Sequence, residues 1–167
     1  PSSGQPFDVP KNVYDLWAQP AQRGKTFREG WLKRLDGSAQ KETFNRVLSG
    51  DLGSDWKTSF QAYKDNIAVS ADTLATRASS GRALVKLTEL IGTMISGSAD
   101  LEGSNKTKTP ATQNEIQAGN YGGRYINYGI REHGMAAAMN GMALHGGIIP
   151  YSGLFMVFMD YCRPSVR

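Results

Sequence analysis

The stretch Met94-Ile95-Ser96-Gly97-Ser98-Ala99-Asp100 decides how this chain folds. It is a short apolar run that fades into small and polar residues, the pattern of a buried strand ending in a loop. Upstream, Leu84, Val85, Leu87, Leu90 and Ile91 give Ala78 to Leu90 a helical pattern. Downstream, a polar, Gly-rich loop from Glu102 to Gly123 leads into a second short strand, Tyr125-Ile126-Asn127-Tyr128. A helix follows from Glu132 to Leu144, with Met135, Met139 and Met142 on one face, and then a third strand, Ile148-Ile149-Pro150-Tyr151. The apolar segment from Phe155 onward reads as another helix, which Pro164 would kink or restart. Strands alternating with helices predict a parallel α/β sheet. Ligands of such sheets lie at the carboxyl ends of the strands. Asp100 with the loop after it, Glu132, and Ser152-Gly153 all fall just past a strand end and mark the place to look for a site. Three strands are few for such a domain, so the sheet is expected to be incomplete at its C-terminal side.

The texture is different before Thr76. Residues 1–10 read as irregular, with Pro6 and Pro10 bracketing a turn, and Lys11 to Gln19 as a short helix. Gln22 to Val47 carries an interrupted apolar stripe of Phe27, Trp31, Leu32, Leu35, Phe44 and Val47. Gly50 to Asp55 is a break, and Trp56 to Ile67 is again amphipathic through Trp56, Phe60, Tyr63 and Ile67. This half predicts a helical arm with no sheet of its own. The chain therefore divides at about residue 70, into an arm over 1–70 and a sheet-bearing part over 71–167.

Composition narrows the function classes. The 167 residues are 40% hydrophobic and 20% charged, ordinary for a globular protein. The net charge of +4 comes from interspersed signs, and no basic run of the kind that binds nucleic acid or anionic lipid is present. The single cysteine, Cys162, excludes an internal disulfide and reads as buried and inert, which fits a cytosolic setting. Pro1-Ser2-Ser3-Gly4-Gln5-Pro6 has neither the basic start nor the apolar run of a signal peptide, and the missing initiator Met suggests a piece of something longer. Gly134 to Met159 carries no Asp, Glu, Lys or Arg, but Asn140, His145, Gly146-Gly147, Pro150 and Ser152-Gly153 divide it into pieces too short to cross a bilayer. His133 and His145 are not spaced with a second metal ligand and are assigned to structure.

The segment Gly119-Asn120-Tyr121-Gly122-Gly123-Arg124-Tyr125-Ile126-Asn127-Tyr128-Gly129-Ile130-Arg131-Glu132-His133-Gly134-Met135 resembles the transketolase signature around its cofactor glutamate. Three further pieces agree in order and spacing: Thr76-Arg77; Gly97-Ser98-Ala99-Asp100-Leu101 with Ser104-Asn105; and Pro150-Tyr151 leading into Phe155, Phe158 and Tyr161. Pro6-Phe7-Asp8-Val9-Pro10 also resembles the family's linker out of its first domain. The resemblance is dense from Arg77 to Arg167 and loose in the arm. It implies a thiamine diphosphate enzyme, with 71–167 as an incomplete pyrimidine-binding domain and 1–70 as a linker from a preceding diphosphate-binding domain.

The resemblance also implies roles. The glutamate matching Glu132 hydrogen-bonds a ring nitrogen of the aminopyrimidine and favours the imino tautomer, whose nitrogen takes the proton from the thiazolium carbon. Taken alone, Glu132 is a first-turn acid stabilising a helix dipole. Phe155, Phe158 and Tyr161, three residues apart, match aromatic residues that wall the aminopyrimidine pocket; taken alone they read as core packing. Asp100 matches an aspartate near the cofactor and the subunit interface, and on its own is a cap or Asx turn. Arg77 and Ser104 match the pair that binds the terminal phosphate of the sugar, where a guanidinium offers bidentate bonds and a hydroxyl adds another. Alone, they are a surface Arg and a loop Ser.

The Gly-Asp-Gly motif with which thiamine enzymes hold Mg²⁺ and the diphosphate is absent here, because Gly50-Asp51 is followed by Leu52. The resemblance places that motif in the preceding domain and the cofactor between two subunits of a homodimer. The isolated chain is expected to be inactive. The implied reaction moves a two-carbon ketol unit from a ketose phosphate to an aldose phosphate. A dihydroxyacetone synthase-type relative and a non-catalytic interaction module remain as alternatives. Three departures stand out: His133-Gly134 mixes two versions of the motif, Pro164 interrupts a usually continuous helix, and the 106–117 loop is untypical.

Overall fold

A computed structural model describes residues 6–167. The chain forms two compact units, one ending at Asn45 and the other running Arg46–Arg167.

The first unit is dominated by helix α1, Lys11–Asp36, which continues through Pro20 instead of ending at Gln19. Proline removes one helical N–H donor, but α1 has no buried residue, so water can satisfy the carbonyl left without a partner. The expected single run to Val47 breaks at Gly37, and α2, Lys41–Leu48, follows. Trp31 packs edge-on against Phe44 with ring centroids 6.0 Å apart. The turn expected between Pro6 and Pro10 falls at Pro6-Phe7, and residues 1–5 lie outside the described part.

The second unit begins with α3, Asp55–Ser70, and α4, Thr76–Leu90. Three parallel strands follow the sequence reading closely: β1 Met94–Ser98, β2 Tyr125–Asn127 and β3 Ile149–Pro150. β1 is central, in the order β2-β1-β3, with Ser96 opposite Tyr125 and Met94 opposite Ile149. Gly97 sits in this central strand because a Cβ there would come within 2.8 Å of Ser152 Oγ and 2.9 Å of the Ile126 carbonyl. The stretch expected to be a plain loop contains α5, Glu102–Asn105, and a 3₁₀ turn, Pro110–Thr112.

Helix α6, Glu132–His145, packs its methionine face inward, with Met135 1% exposed. The segment after Phe155 departs from expectation. It is a 3₁₀ helix, Met156–Cys162, and Pro164 then restarts the chain as α7, Arg163–Val166. Residues three apart eclipse one another at three residues per turn, so an i, i+3 aromatic pattern suits a 3₁₀ helix as well as an α-helix.

The core is small and unusually hydroxylated. Tyr125, Met135 and Cys162 are buried beside Thr88, Thr112 and Ser96. Thr88 Oγ1 donates to the Leu84 carbonyl at 2.7 Å and meets Thr109 Oγ1 at 2.8 Å, which meets Thr112 Oγ1 at 3.1 Å. No buried hydroxyl in this chain of three lacks a partner, which is the condition for keeping polar groups in a core.

Candidate functional site

Asp100, Glu132 and the Phe155 segment each follow the carboxyl end of a strand, whereas Arg77 lies on the helix before β1. β2 leaves the sheet through Tyr128-Gly129, and Gly129 takes a left-handed φ of 67° that turns the chain toward α6. Glu132 is the first residue of α6 and is 8% exposed. Its carboxyl oxygens take no hydrogen bond or ion pair among the described residues; the bond it receives from outside its helix goes to its backbone carbonyl, from Cys162 Sγ at 3.2 Å. The enclosed polar atoms without a partner among the described residues are Tyr63 Oη and Ser152 Oγ, not the oxygens of Glu132, whose carboxyl keeps a small contact with solvent. Burial pushes the Cys162 thiol above its ordinary value, and the neighbouring charge of Glu132 adds to the rise.

Phe155, Phe158 and Tyr161 form a ladder. Phe155 and Phe158 stack with centroids 6.3 Å apart, and Phe158 and Tyr161 are 6.1 Å apart with a tilt of 32°. Phe155 is 39% and Tyr161 61% exposed, so the ladder is not a core element. The seven-residue 3₁₀ helix extends about 14 Å, at roughly 2 Å per residue. It ends at Cys162, on Glu132.

The other end of the ladder opens on a cleft of about 640 Å³, lined by Arg77, Ser80, Ser104, Thr107, Tyr151 and Phe155, among others. Arg77 is exposed in the first turn of α4, a turn with no acidic residue. Ser104 is half-buried on α5. Phe155, Phe158 and Tyr161 thus form a track that begins at the cleft of Arg77 and Ser104, and the next residue, Cys162, touches the backbone of Glu132. Asp100 stands apart from this track. It is exposed, adopts a left-handed φ of 60°, and borders a separate cleft of about 370 Å³ with Arg131 and Asn127.

The histidines hold local contacts, His145 Nδ1 with the Gly146 carbonyl at 3.0 Å and His133 Nδ1 with Ser165 Oγ at 3.4 Å. No group of three or more metal-ligating side chains occurs among the described residues. No helix of the described residues is long and apolar enough to cross a membrane. Sequence reasoning missed Ser80, which shares the Arg77 cleft. Its spacing of three from Arg77 on a helix was the available signal. Cys162 is buried with a raised thiol pKa, in keeping with its reading as a buried, inert residue; its bond to the carbonyl of Glu132 was not foreseen.

Residues 72–167 match the family model described as transketolase, pyrimidine binding domain. The chain belongs to the transketolase family. It is 48% identical over 97% of its length to a transketolase of Sinorhizobium medicae and 44% identical over 97% to one of Cereibacter sphaeroides, spanning 23% and 24% of those proteins. Among solved structures, transketolase from Leishmania mexicana superposes with a TM-score of 0.80 at 29% identity, over 98% of this chain and 24% of that one. A Pichia stipitis transketolase solved in complex with sedoheptulose 7-phosphate superposes at 0.79 with 31% identity, over 97% of this chain and 25% of that one. The chain thus spans about a quarter of the transketolases it matches.

Proposed function

We propose that this chain is the part of a transketolase that receives the aminopyrimidine end of thiamine diphosphate and the phosphate end of a sugar substrate. The observation that carries the reading is the position of Glu132: buried, unpartnered at its carboxyl, and one contact from the end of an exposed aromatic ladder. The residues suit the cofactor. A flat heterocycle needs aromatic faces to lie on and a carboxyl to meet its ring nitrogen; the exposed rings of Phe155 and Tyr161 and the unpaired carboxyl of Glu132 are the groups that would serve. When bound, thiamine diphosphate supplies the carbon–carbon bond chemistry of ketol transfer. Glu132 would hold a proton at its carboxyl against the ring nitrogen. Phe155, Phe158 and Tyr161 would fix the ring plane and exclude water. Arg77 and Ser104 would anchor a sugar phosphate at the far end of the track, and Asp100 would border the cofactor from its own cleft.

The parent enzyme, on this reading, is a cytosolic homodimer. The exposed flank of the ladder is the half-wall that a second subunit would complete. Mg²⁺ and the diphosphate would be held by a domain outside this chain, since Gly50-Asp51-Leu52 lacks the required glycine. The chain alone would transfer no ketol units.

The test is Glu132→Gln in the parent enzyme, which keeps the volume and removes the ionisable group. Turnover is expected to fall at least about 100-fold, the scale of a lost acid–base group. Undiminished ketol transfer would overturn the reading. Formaldehyde offered as the acceptor separates the dihydroxyacetone synthase-type alternative, and a wild-type parent protein without any ketol transfer would point to the interaction module.

A further inference from the structure

We propose that Asn105 is a positioning residue for the sugar-phosphate end of the site, holding Ser104 at a fixed distance from Phe155. The inference rests on the reading of Arg77 and Ser104 as a phosphate grip. Asn105 is the last residue of α5, a single helical turn that also carries Ser104. The next residue, Lys106, takes a left-handed φ of 57°, and the backbone bonds of the turn, from the Ser104 and Asn105 N–H groups to the Leu101 carbonyl and from the Lys106 N–H to the Glu102 carbonyl, close it on itself without tying it to the sheet.

The side chain of Asn105 does that work. Its Nδ2 donates to Ser98 Oγ at 2.8 Å, and its Oδ1 accepts from Thr107 Oγ1 at 3.0 Å. Ser98, the last residue of β1, also accepts the Leu101 N–H at 3.0 Å and donates to the Gly153 carbonyl at 3.3 Å. Gly153 lies two residues before Phe155. One amide therefore ties the segment bearing Ser104 to the end of the central strand, and through it to the segment that starts the aromatic ladder. An amide donates to Ser98 Oγ, whose own proton faces the Gly153 carbonyl, and accepts from Thr107 Oγ1, so one side chain serves both neighbours. The fit is close. A Cβ built at Gly153 would lie 2.7 Å from Asn105 Nδ2 and 2.6 Å from Thr107 Cγ2.

Arg77 belongs to a different helix, so loosening Asn105 displaces one half of the grip and leaves the other. That predicts a selective defect. Substrates that reach the grip through a phosphate should bind more weakly, whereas a short unphosphorylated 2-keto donor, which ends before the cleft, should not.

The experiment is steady-state kinetics of the parent enzyme carrying Asn105→Ala, with a phosphorylated and an unphosphorylated donor. KM for the phosphorylated donor should rise about tenfold, the scale of a lost hydrogen bond to a charged group, with kcat and the unphosphorylated KM nearly unchanged. Asn105→Asp keeps the volume and brings a negative charge to the cleft, so it should show the same selectivity more strongly. Gly153→Ala, which pushes on the amide from the other side, should reproduce it. Equal losses for both donors, or no loss for either, would overturn the proposal. If Ser104→Ala and Arg77→Ala also leave the phosphorylated KM unchanged, the phosphate grip itself is wrong. If those two raise it and Asn105→Ala does not, only the positioning role fails.

Discussion

The thiol of Cys162 donates to the backbone carbonyl of Glu132 at 3.2 Å, across thirty positions of sequence. The contact joins the last residue of the aromatic 3₁₀ helix to the first residue of α6. It fixes the height of the end of the 3₁₀ helix on the start of α6. Neither element could set that height alone, because the 3₁₀ helix is mostly exposed and α6 is anchored chiefly further along, at Met135.

Cys162→Ala should lower the stability of the chain by about 1–2 kcal/mol, from a small cavity and a lost weak bond. The effect should depend on pH. The folded thiol has a raised pKa, so its contribution is complete below the unfolded value near 9 and is lost as the pH rises through the folded one. Melting temperatures measured from pH 7 to 10.5 should fall more steeply for the wild-type chain than for Cys162→Ala above pH 9. Parallel curves would show that the thiol is not buried as described.

Arg124 acts as a clamp on the end of α4. Its Nη2 donates to the carbonyls of Thr88 and Ile91 at 2.9 and 3.0 Å, and its Nε donates to that of Met94 at 3.1 Å. A cation at a helix C-terminus satisfies carbonyls that the helix leaves unpaired. Arg124→Met keeps most of the stem and loses these three bonds together with a longer one from Nη1 to the Ala111 carbonyl at 3.4 Å. Chemical denaturation should show a loss of about 2–3 kcal/mol. Arg124→Lys should recover less than half of it, because one ammonium cannot span three acceptors.

The sheet was legible because short apolar runs alternate with helical patterns: β1, β2 and α6 begin at Met94, Tyr125 and Glu132 as read, β3 begins one residue after Ile148, and α4 two residues before Ala78. The misreadings have physical causes. Pro20 looks like a stop, yet an exposed helix tolerates the lost donor. Phe155, Phe158 and Tyr161 are compatible with either helix type, and only the tighter turn brings them into register. The importance of Asn105 and Cys162 comes from partners that are distant in sequence or in the backbone, and no local pattern encodes such contacts.

Lys108 and Glu115 form a half-buried pair at 2.7 Å within the untypical 106–117 loop, with the ammonium 4.7 Å from the Tyr125 ring centroid. The hydrogen bond from Lys108 is the main reason that Glu115 is pulled down to about 2. A depressed carboxylate contributes stability above its unfolded value of about 4.5 and loses it as the pH falls through the folded one. Glu115→Gln should therefore be less stable than wild type at pH 6, and the two melting curves should converge between pH 4.5 and 2. A constant difference across that range would mean that the ion pair is absent in solution.

Phe158 is the middle rung of the ladder, stacked on Phe155 and tilted against Tyr161. It is only half-buried, so replacing it should affect ligand binding more than folding. Phe158→Leu keeps an apolar side chain and removes the aromatic face. In the parent enzyme, cofactor affinity measured by calorimetry should fall about fivefold, the equivalent of about 1 kcal/mol for one aromatic contact. The melting temperature without cofactor should move by less than about 2 °C, within the range of a surface change. Phe155→Leu should give a similar loss of affinity and also raise KM for phosphorylated donors, because Phe155 borders the Arg77 cleft and Phe158 does not. Unchanged cofactor affinity in both variants would move the heterocycle off the ladder and leave the aromatic face without a ligand.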